Sequence, residues 1–463
     1  MKKYKWLVIY TFLFASTVLM FLFYAVGNYY PLMFSDTGSY VISGMTLELP
    51  NDRPVMYGLL INLTSFNCTL WNIVIFQSII LAYFLLLVLK CSLGNYKLAF
   101  FLLPLLGVFL TLLTGVSFFV SIVTPDIFSA IVILGILIII SFPELWKIHR
   151  ITVLIITVIT SLTHFSNFIN ILSLVLAFTV LFIFFRKKEF VKIRRKSFYL
   201  IAILAIFTFT TNYLINLSFG TKGKIARSSY AHPFATLLES GLVHEFLNEN
   251  CDDSSYSFCR YIDKLPKSHA TFLWDFEHSP LYFDCIDRKM CMVEKNEEMS
   301  QIIHEMLGDP RYLKRMFVFS LERTWDQLWT FQIITLPKYD TEYPIIDPLY
   351  NHLYNDLEAF TSSCQYQQGF NVGNHNKYIK WFIYLSVVIV ILAFSLPWFY
   401  RKLSTDIKVF LWMFIVAMLS NAYVCSVLSS GSPRYQGRIV WIFSVIAFIA
   451  IVLIIRRYRS RKA

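Results

Sequence analysis

The sequence predicts an all-α polytopic membrane protein, with about ten transmembrane helices and one mainly helical external domain. Composition is the first ground. Of 463 residues, 57% are hydrophobic and 15% charged, where soluble domains run about 45–50% and about 25%. Hydropathy is the second, because stretches near the roughly 20 apolar residues that a span requires recur along most of the chain. The sorting of basic residues between alternate connections is the third, and it supplies an orientation.

The candidate spans are 6–26, 70–89, 98–116, 126–142, 151–163, 168–185, 198–217, 381–400, 409–428 and 439–455. The first could be mistaken for a secretory signal. From Trp6 to Val26 it exceeds the roughly 7–15-residue core of such signals, and no small-x-small cleavage site follows. It reads as a retained span. Between spans, 22 of the 41 Lys and Arg fall in the termini and the connections on one side, including the run "RKKEFVKIRRK" at 186–196. The short connections on the other side hold only Arg53, Arg434 and Arg438. Long translocated segments do not count in this comparison. The asymmetry therefore puts both termini in the cytoplasm of a cell whose inner (cytoplasmic) membrane, by our reading bacterial, holds the chain. The net charge of +12 then reports topology, and no nucleic-acid partner is needed to explain it.

Three parts follow: residues 1–217, a seven-helix part with a first external loop at 28–69; residues 218–380, an external soluble domain; and residues 381–463, a three-helix part with a basic tail. The middle part has ordinary soluble composition and is expected to pack on the outer mouths of the helices. "HPFATLLESGLVHEFLNEN" at 232–250 and the stretch 296–331 space their apolar residues as helices do. The aromatic, Pro-punctuated stretch between them reads as an ordered loop. Of eight cysteines, Cys68, Cys251, Cys259, Cys285, Cys291 and Cys364 face outward. They allow up to three disulfides in an oxidising compartment, with the pairing open. Their spacings do not match the short C-x2-C pairs of zinc sites.

Polar residues near membrane depth are costly and mark function when they share a cavity. Here they share a side. "FSDTGSYVISGMTLELPNDRPVMY" at 34–57 brings Asp36, Tyr40, Arg53 and Tyr57; "VTPDIF" brings Asp126; "THFSN" brings His164 and Asn167; "GSPRYQGR" brings Arg434 and Arg438. Each has a plain alternative. Asp126 could offset a helix dipole, His164 could be a satisfied boundary histidine, Arg434 an interfacial anchor, and Asp36 with Arg53 an exposed ion pair of little value. Their common side favours one outward pocket roofed by 218–380.

In such a pocket Asp36 would serve as general base toward an acceptor hydroxyl. Arg53, Arg434 and His164 would hold a phosphate leaving group, for which arginine offers bidentate contacts. No P-loop, G-x-G-x-x-G, G-x-S-x-G or H-E-x-x-H occurs, so nucleotide hydrolysis, dinucleotide redox and common hydrolase chemistry have no support.

The pattern Asp36-x3-Tyr40 followed by Arg53-Pro54-x2-Tyr57 resembles the first external loop of integral-membrane glycosyltransferases of the GT-C type, and Pro125-Asp126 is similar to another recurrent feature of them. The likeness covers roughly residues 1–215. It implies a polyprenyl-phosphate-sugar donor, a catalytic aspartate at Asp36, and a glycan, lipid or protein acceptor beside the membrane lipids. Arg53, Tyr40, Tyr57, Asp126, His164, Asn167 and Arg434 form the expected substrate and phosphate-binding set. Two departures stand out. The loop has one clear acid where many members have a pair, with Asp52 as the candidate second. The large soluble part also precedes the last three spans, where many members place it at the C-terminus. No cofactor is assigned, and assistance by a divalent metal is left open. The alternatives are a polymerase or ligase of lipid-linked glycans, working through Arg434 or Arg315, and a transporter or non-catalytic membrane protein.

Overall fold

The computed structural model describes residues 2–51, 53–218, 227–251, 256–285, 287, 290–338 and 345–462. Among these residues eight helices are long and apolar enough to cross a bilayer: Tyr4–Phe21, Trp71–Leu93, Tyr96–Leu113, Phe165–Phe185, Glu189–Ser218, His375–Ser395, Thr405–Val427 and Pro433–Arg459. Two shorter ones, Asp126–Ser141 and Lys147–Ser161, fold back on each other. The chain is thus an all-α polytopic membrane protein, and among the described residues β-pairing is limited to the isolated bridges Leu32–Ile122 and Leu336–Phe370.

The Asp126–Ser141 helix lies at the centre. Every residue of Asp126–Ser141 is buried, which is why it is apolar on all sides. Its 16 residues rise about 24 Å, less than the roughly 30 Å hydrocarbon layer. Shielded by other helices, it need not match the bilayer.

The two ends of the bundle differ in chemistry. At one end arginines close helix C-termini, whose carbonyls lack partners and carry negative partial charge. Arg456 donates to the Leu93 carbonyl at 2.8 Å, Arg150 to Pro143 at 3.0 Å, and Arg194 to Ser141 at 3.1 Å. Arg194 also pairs with Asp406. Much of the basic surplus sits here.

The opposite end carries the candidate site and a second core. That core is built from residues between Ala231 and Tyr312. Its helices Ala231–Glu239 and Leu242–Asn250 break at Gly241, whose φ of +80° suits glycine. Asn296–Gly308 and Pro310–Trp329 break at Asp309, whose carboxylate accepts from the Arg311 amide while Pro310 opens the next helix. Cys251 and Cys259 are joined by a disulfide, whereas Cys68, Cys285, Cys291 and Cys364 are free thiols. The rest of 218–380 behaves differently: Phe331, Ile333, Leu336, Leu349 and Phe360 are buried in the main core with the spanning helices.

Residues 28–69 fold as two short helices, Thr37–Thr46 and Met56–Ser65. They cross where a Cβ on Gly44 would lie 2.1 Å from the Gly58 carbonyl oxygen. Only glycine at both positions permits that approach.

Candidate functional site

Two carboxylates anchor the site, and one backbone bridge sets their register. The Leu32 amide donates to Ser121 and the Val123 amide to Leu32, each at 2.9 Å. Thr37 Oγ1 donates to the Val123 carbonyl at 3.0 Å, and the Gln365 side chain clamps both backbone groups of Met33. Asp36 and Asp126 each follow four residues after a bridge residue, so they emerge side by side.

Charges then alternate across the cluster. Asp36 Oδ1 lies 3.1 Å from Arg53 Nη1, and its Oδ2 lies 3.9 Å from Arg434 Nη2. Asp126 Oδ2 lies 3.5 Å from Arg434 Nε, and its Oδ1 lies 3.2 Å from Arg438 Nη1. Arg434 and Arg438 are four residues apart on the Pro433–Val440 helix, hence on one face. The order Arg53–Asp36–Arg434–Asp126–Arg438 carries one positive charge in excess.

Accessibility decides where chemistry can occur along this chain. Side-chain exposure falls from 28% at Asp36 and 16% at Arg53 to 10% at Arg434, 4% at Asp126 and 0% at Arg438. Arg438 is also saturated on one side, donating to Ser166 Oγ at 3.1 Å, Asn421 Oδ1 at 3.2 Å and Cys425 Sγ at 3.3 Å. The buried end is packed into the protein, and the Asp36 end is the accessible one. Among the described residues, Nη1 of Arg434 and Nε of Arg438 are buried without a hydrogen-bond partner, leaving donors of the cationic core uncommitted.

His164 precedes the Phe165–Phe185 helix and caps it, its Nδ1 accepting from the Ser166 amide at 3.1 Å. That fixes the proton of the neutral ring on Nε2. Burial first, and then the nearby Arg438, push its pKa down to about 3. It is a neutral hydrogen-bond donor at neutral pH and is poorly placed to act as a base.

The aromatic residues stand behind the ion pairs. Arg53 lies over the Tyr40 ring at 5.3 Å and Tyr40 packs edge-on to Tyr57 at 5.0 Å. The Tyr57 hydroxyl donates to Gln77 Oε1 at 2.9 Å, and burial pushes its pKa well up. Arg434 stacks over Phe34 at 4.2 Å. Asn167 donates to the Thr160 carbonyl at 3.1 Å, pinning the turn.

Of the residues singled out from sequence, then, Asp36, Arg53, Asp126, His164 and Arg434 converge. Tyr40 and Tyr57 form the wall behind them, and Asn167 holds the turn that carries His164. Asp52 lies outside the described residues. Arg315 pairs with Glu245 at 2.5 Å on the exposed surface of the second core and takes no part in the cluster. Arg438, one of the arginines on this side in the sequence, joins the cluster through Asp126. Its spacing from Arg434 was the available signal. Gln77 and Asn421 also went unselected, although a polar amide inside a span is itself a signal.

Among the described residues no group of three or more His, Cys, Asp and Glu is arranged to hold a metal ion. Asp36 and Asp126 converge on the Arg434 guanidinium, which stands where a bridging divalent cation would, so this donor set does not fit one. The chain matches no family model, no curated protein and no solved structure.

Proposed function

We propose that the protein is a membrane glycosyltransferase that moves a sugar from a lipid-phosphate donor to a hydroxyl acceptor, with Asp36 as general base. One observation carries this reading: the accessible carboxylate of Asp36 lies between Arg53 and Arg434 at the lip of a net-cationic cluster, at one end of an apolar helix bundle. A lipid phosphate reaching that lip from the bilayer would exchange with Asp36 for the two guanidinium groups. Arginine suits this exchange, since its planar fork matches phosphate oxygens. Asp36, released, accepts the acceptor's hydroxyl proton as that oxygen attacks the anomeric carbon. The new carbon–oxygen bond forms as the bond to phosphate breaks, and the lipid phosphate leaves with the bonding pair. Arg53 and Arg434 stabilise the charge that develops there, and His164 offers its Nε2 hydrogen to a phosphate oxygen.

In this reading the site faces the outer side of a bacterial inner membrane, with both termini cytoplasmic, as the basic asymmetry favours. The test is transfer by Asp36→Asn. The expected outcome is loss of product at normal protein level and membrane insertion, and unimpaired transfer would refute the proposal. The nearest alternative, a polymerase or ligase of lipid-linked glycans, draws on the same arginines. It would make Arg434→Ala more damaging to product formation than Asp36→Asn.

A further inference from the structure

The Pro310–Trp329 helix lies within a stretch of soluble-like composition, because Lys314, Arg315, Glu322, Arg323 and Asp326 interrupt its apolar residues. In three dimensions the apolar residues gather into a stripe, with Lys314 inside its arc. Leu313, Phe317, Leu321, Trp325 and Trp329 recur every four residues and so share one face, with Val318 beside them. All six are exposed, from 42% to 63%. Its arginines are occupied elsewhere: Arg311, Arg315 and Arg323 pair with Glu249, Glu245 and Glu239 of the second core. Among the described residues nothing covers the apolar face.

The position of the helix identifies what does. Tyr312, Ser320 and Gln327 face the protein, and the helix packs along the Thr405–Val427 span. That span itself exposes Trp412, Leu419 and Tyr423, so the stripe continues a lipid-facing surface. Past Trp329 the chain descends further, to where Phe331 meets Tyr384 at 5.5 Å. Tyr384 lies nine residues inside the His375–Ser395 helix, about 13 Å along it at 1.5 Å per residue. The chain then climbs back, with Ile333 bonded to Asn376 and Leu336 bridged to Phe370.

Non-helical backbone at membrane depth survives only where protein buries it and its polar groups are paired. Here three residues are buried and three backbone amides are paired to other segments. Phe331, Ile333 and Leu336 are 1–2% exposed. The amides of Gln332, Ile333 and Leu336 donate to the Pro433 carbonyl, Asn376 Oδ1 and the Phe370 carbonyl. Gly437 permits the approach, since a Cβ there would lie 2.8 Å from the Gln332 oxygen. Trp325 and Trp329, edge to face at 5.6 Å, are of the type that collects at membrane interfaces.

We infer that residues 310–336 form a re-entrant element in the leaflet at the site end, the Pro310–Trp329 helix being its lipid-facing arm and phospholipid acyl chains the occupant of its apolar stripe. This does not depend on the transferase reading.

Bilayers of phosphatidylcholine brominated on the acyl chains test it. The emission lost between the wild-type chain and Trp325→Phe/Trp329→Phe reports those two rings. It should be quenched by about half or more in brominated relative to plain lipid, as for rings in the acyl boundary. Equal emission in the two lipids would overturn the inference, whether water or a second copy of the chain covers the stripe. As an independent variant, Leu321→Trp should add emission that brominated lipid quenches, and added emission insensitive to bromine would count against it equally.

Discussion

Replacing Asp126 by asparagine separates the structural from the chemical end of the charge cluster. Asp126 is the sole carboxylate within ion-pair distance of Arg438 among the described residues, and it also faces Arg434. Both guanidinium groups are buried, Arg438 completely. Removing one partner of a buried pair leaves a charge uncompensated at a cost of about 3–5 kcal/mol. The hydrogen bonds of Arg438 to Ser166 and Asn421 survive, as does the 3.9 Å approach of Arg434 to Asp36, so the lower part of that range is expected. Asp36→Asn breaks a pair that is partly exposed, worth about 0–1 kcal/mol. A gap of about 3 kcal/mol, roughly a hundredfold in the unfolding equilibrium, should separate the variants in denaturant unfolding of the purified chain in nanodiscs. Adding Arg438→Met to Asp126→Asn should recover part of the loss, since an apolar replacement relieves the uncompensated charge. Equal stabilities for the two single variants, or a double variant less stable than Asp126→Asn, would refute the division of roles.

Other expectations follow from single contacts. Gly58→Ala would press a Cβ to 2.4 Å from Ser43 Oγ and 2.6 Å from the Tyr40 carbonyl, costing about 1–3 kcal/mol and displacing the helix that follows Asp36. Wild-type transfer and stability in this variant would show the crossing to be dispensable. Tyr57→Phe leaves buried Gln77 Oε1 without its donor, so stability should fall by about 1–3 kcal/mol with transfer largely kept; selective loss of transfer would make Tyr57 a binding residue. His164 and His269 are both held down to about 3, chiefly by burial. Their depressed values mean that the unfolded chain binds more protons between about pH 6.5 and 3. Stability is therefore fully present above about pH 6.5 and declines as pH falls, by about 2 kcal/mol per histidine at pH 5. His269→Leu should flatten this acid limb in unfolding measured against pH, and an unchanged slope would exclude His269 as a contributor.

The spanning helices were legible because hydropathy over a span is a strong local signal. The central Asp126–Ser141 helix was legible too, as the span 126–142, although its burial on every side was not. The stretch from Phe331 to Leu336 was not legible as part of the main core. Six residues of mixed character carry no periodicity, and their burial depends on Pro433, Asn376 and Phe370 far along the chain. Within the site, Asp36, Arg53, Asp126, His164 and Arg434 stood out because ionisable or polar groups cluster on one side of the membrane. The roles of the other residues needed coordinates. Tyr40 and Tyr57 read as ligands in a polar loop yet pack behind it, since their burial comes from the Gly44–Gly58 crossing. Arg438 read as one more boundary arginine, although it is the most deeply buried charge of the cluster.

The most direct test of the proposed anion-binding lip is the affinity of the purified chain for a polyprenyl phosphate, with Arg53→Gln compared against the wild type in nanodiscs. Arg53 is the arginine that is both accessible and paired with Asp36, so its loss should spare the fold. A charge-assisted contact of about 1.5–3 kcal/mol corresponds to an affinity lowered by roughly ten- to a hundredfold, with a weaker salt dependence than the wild type. Unchanged affinity and unchanged salt dependence in Arg53→Gln would contradict the assignment of this cluster as the phosphate site.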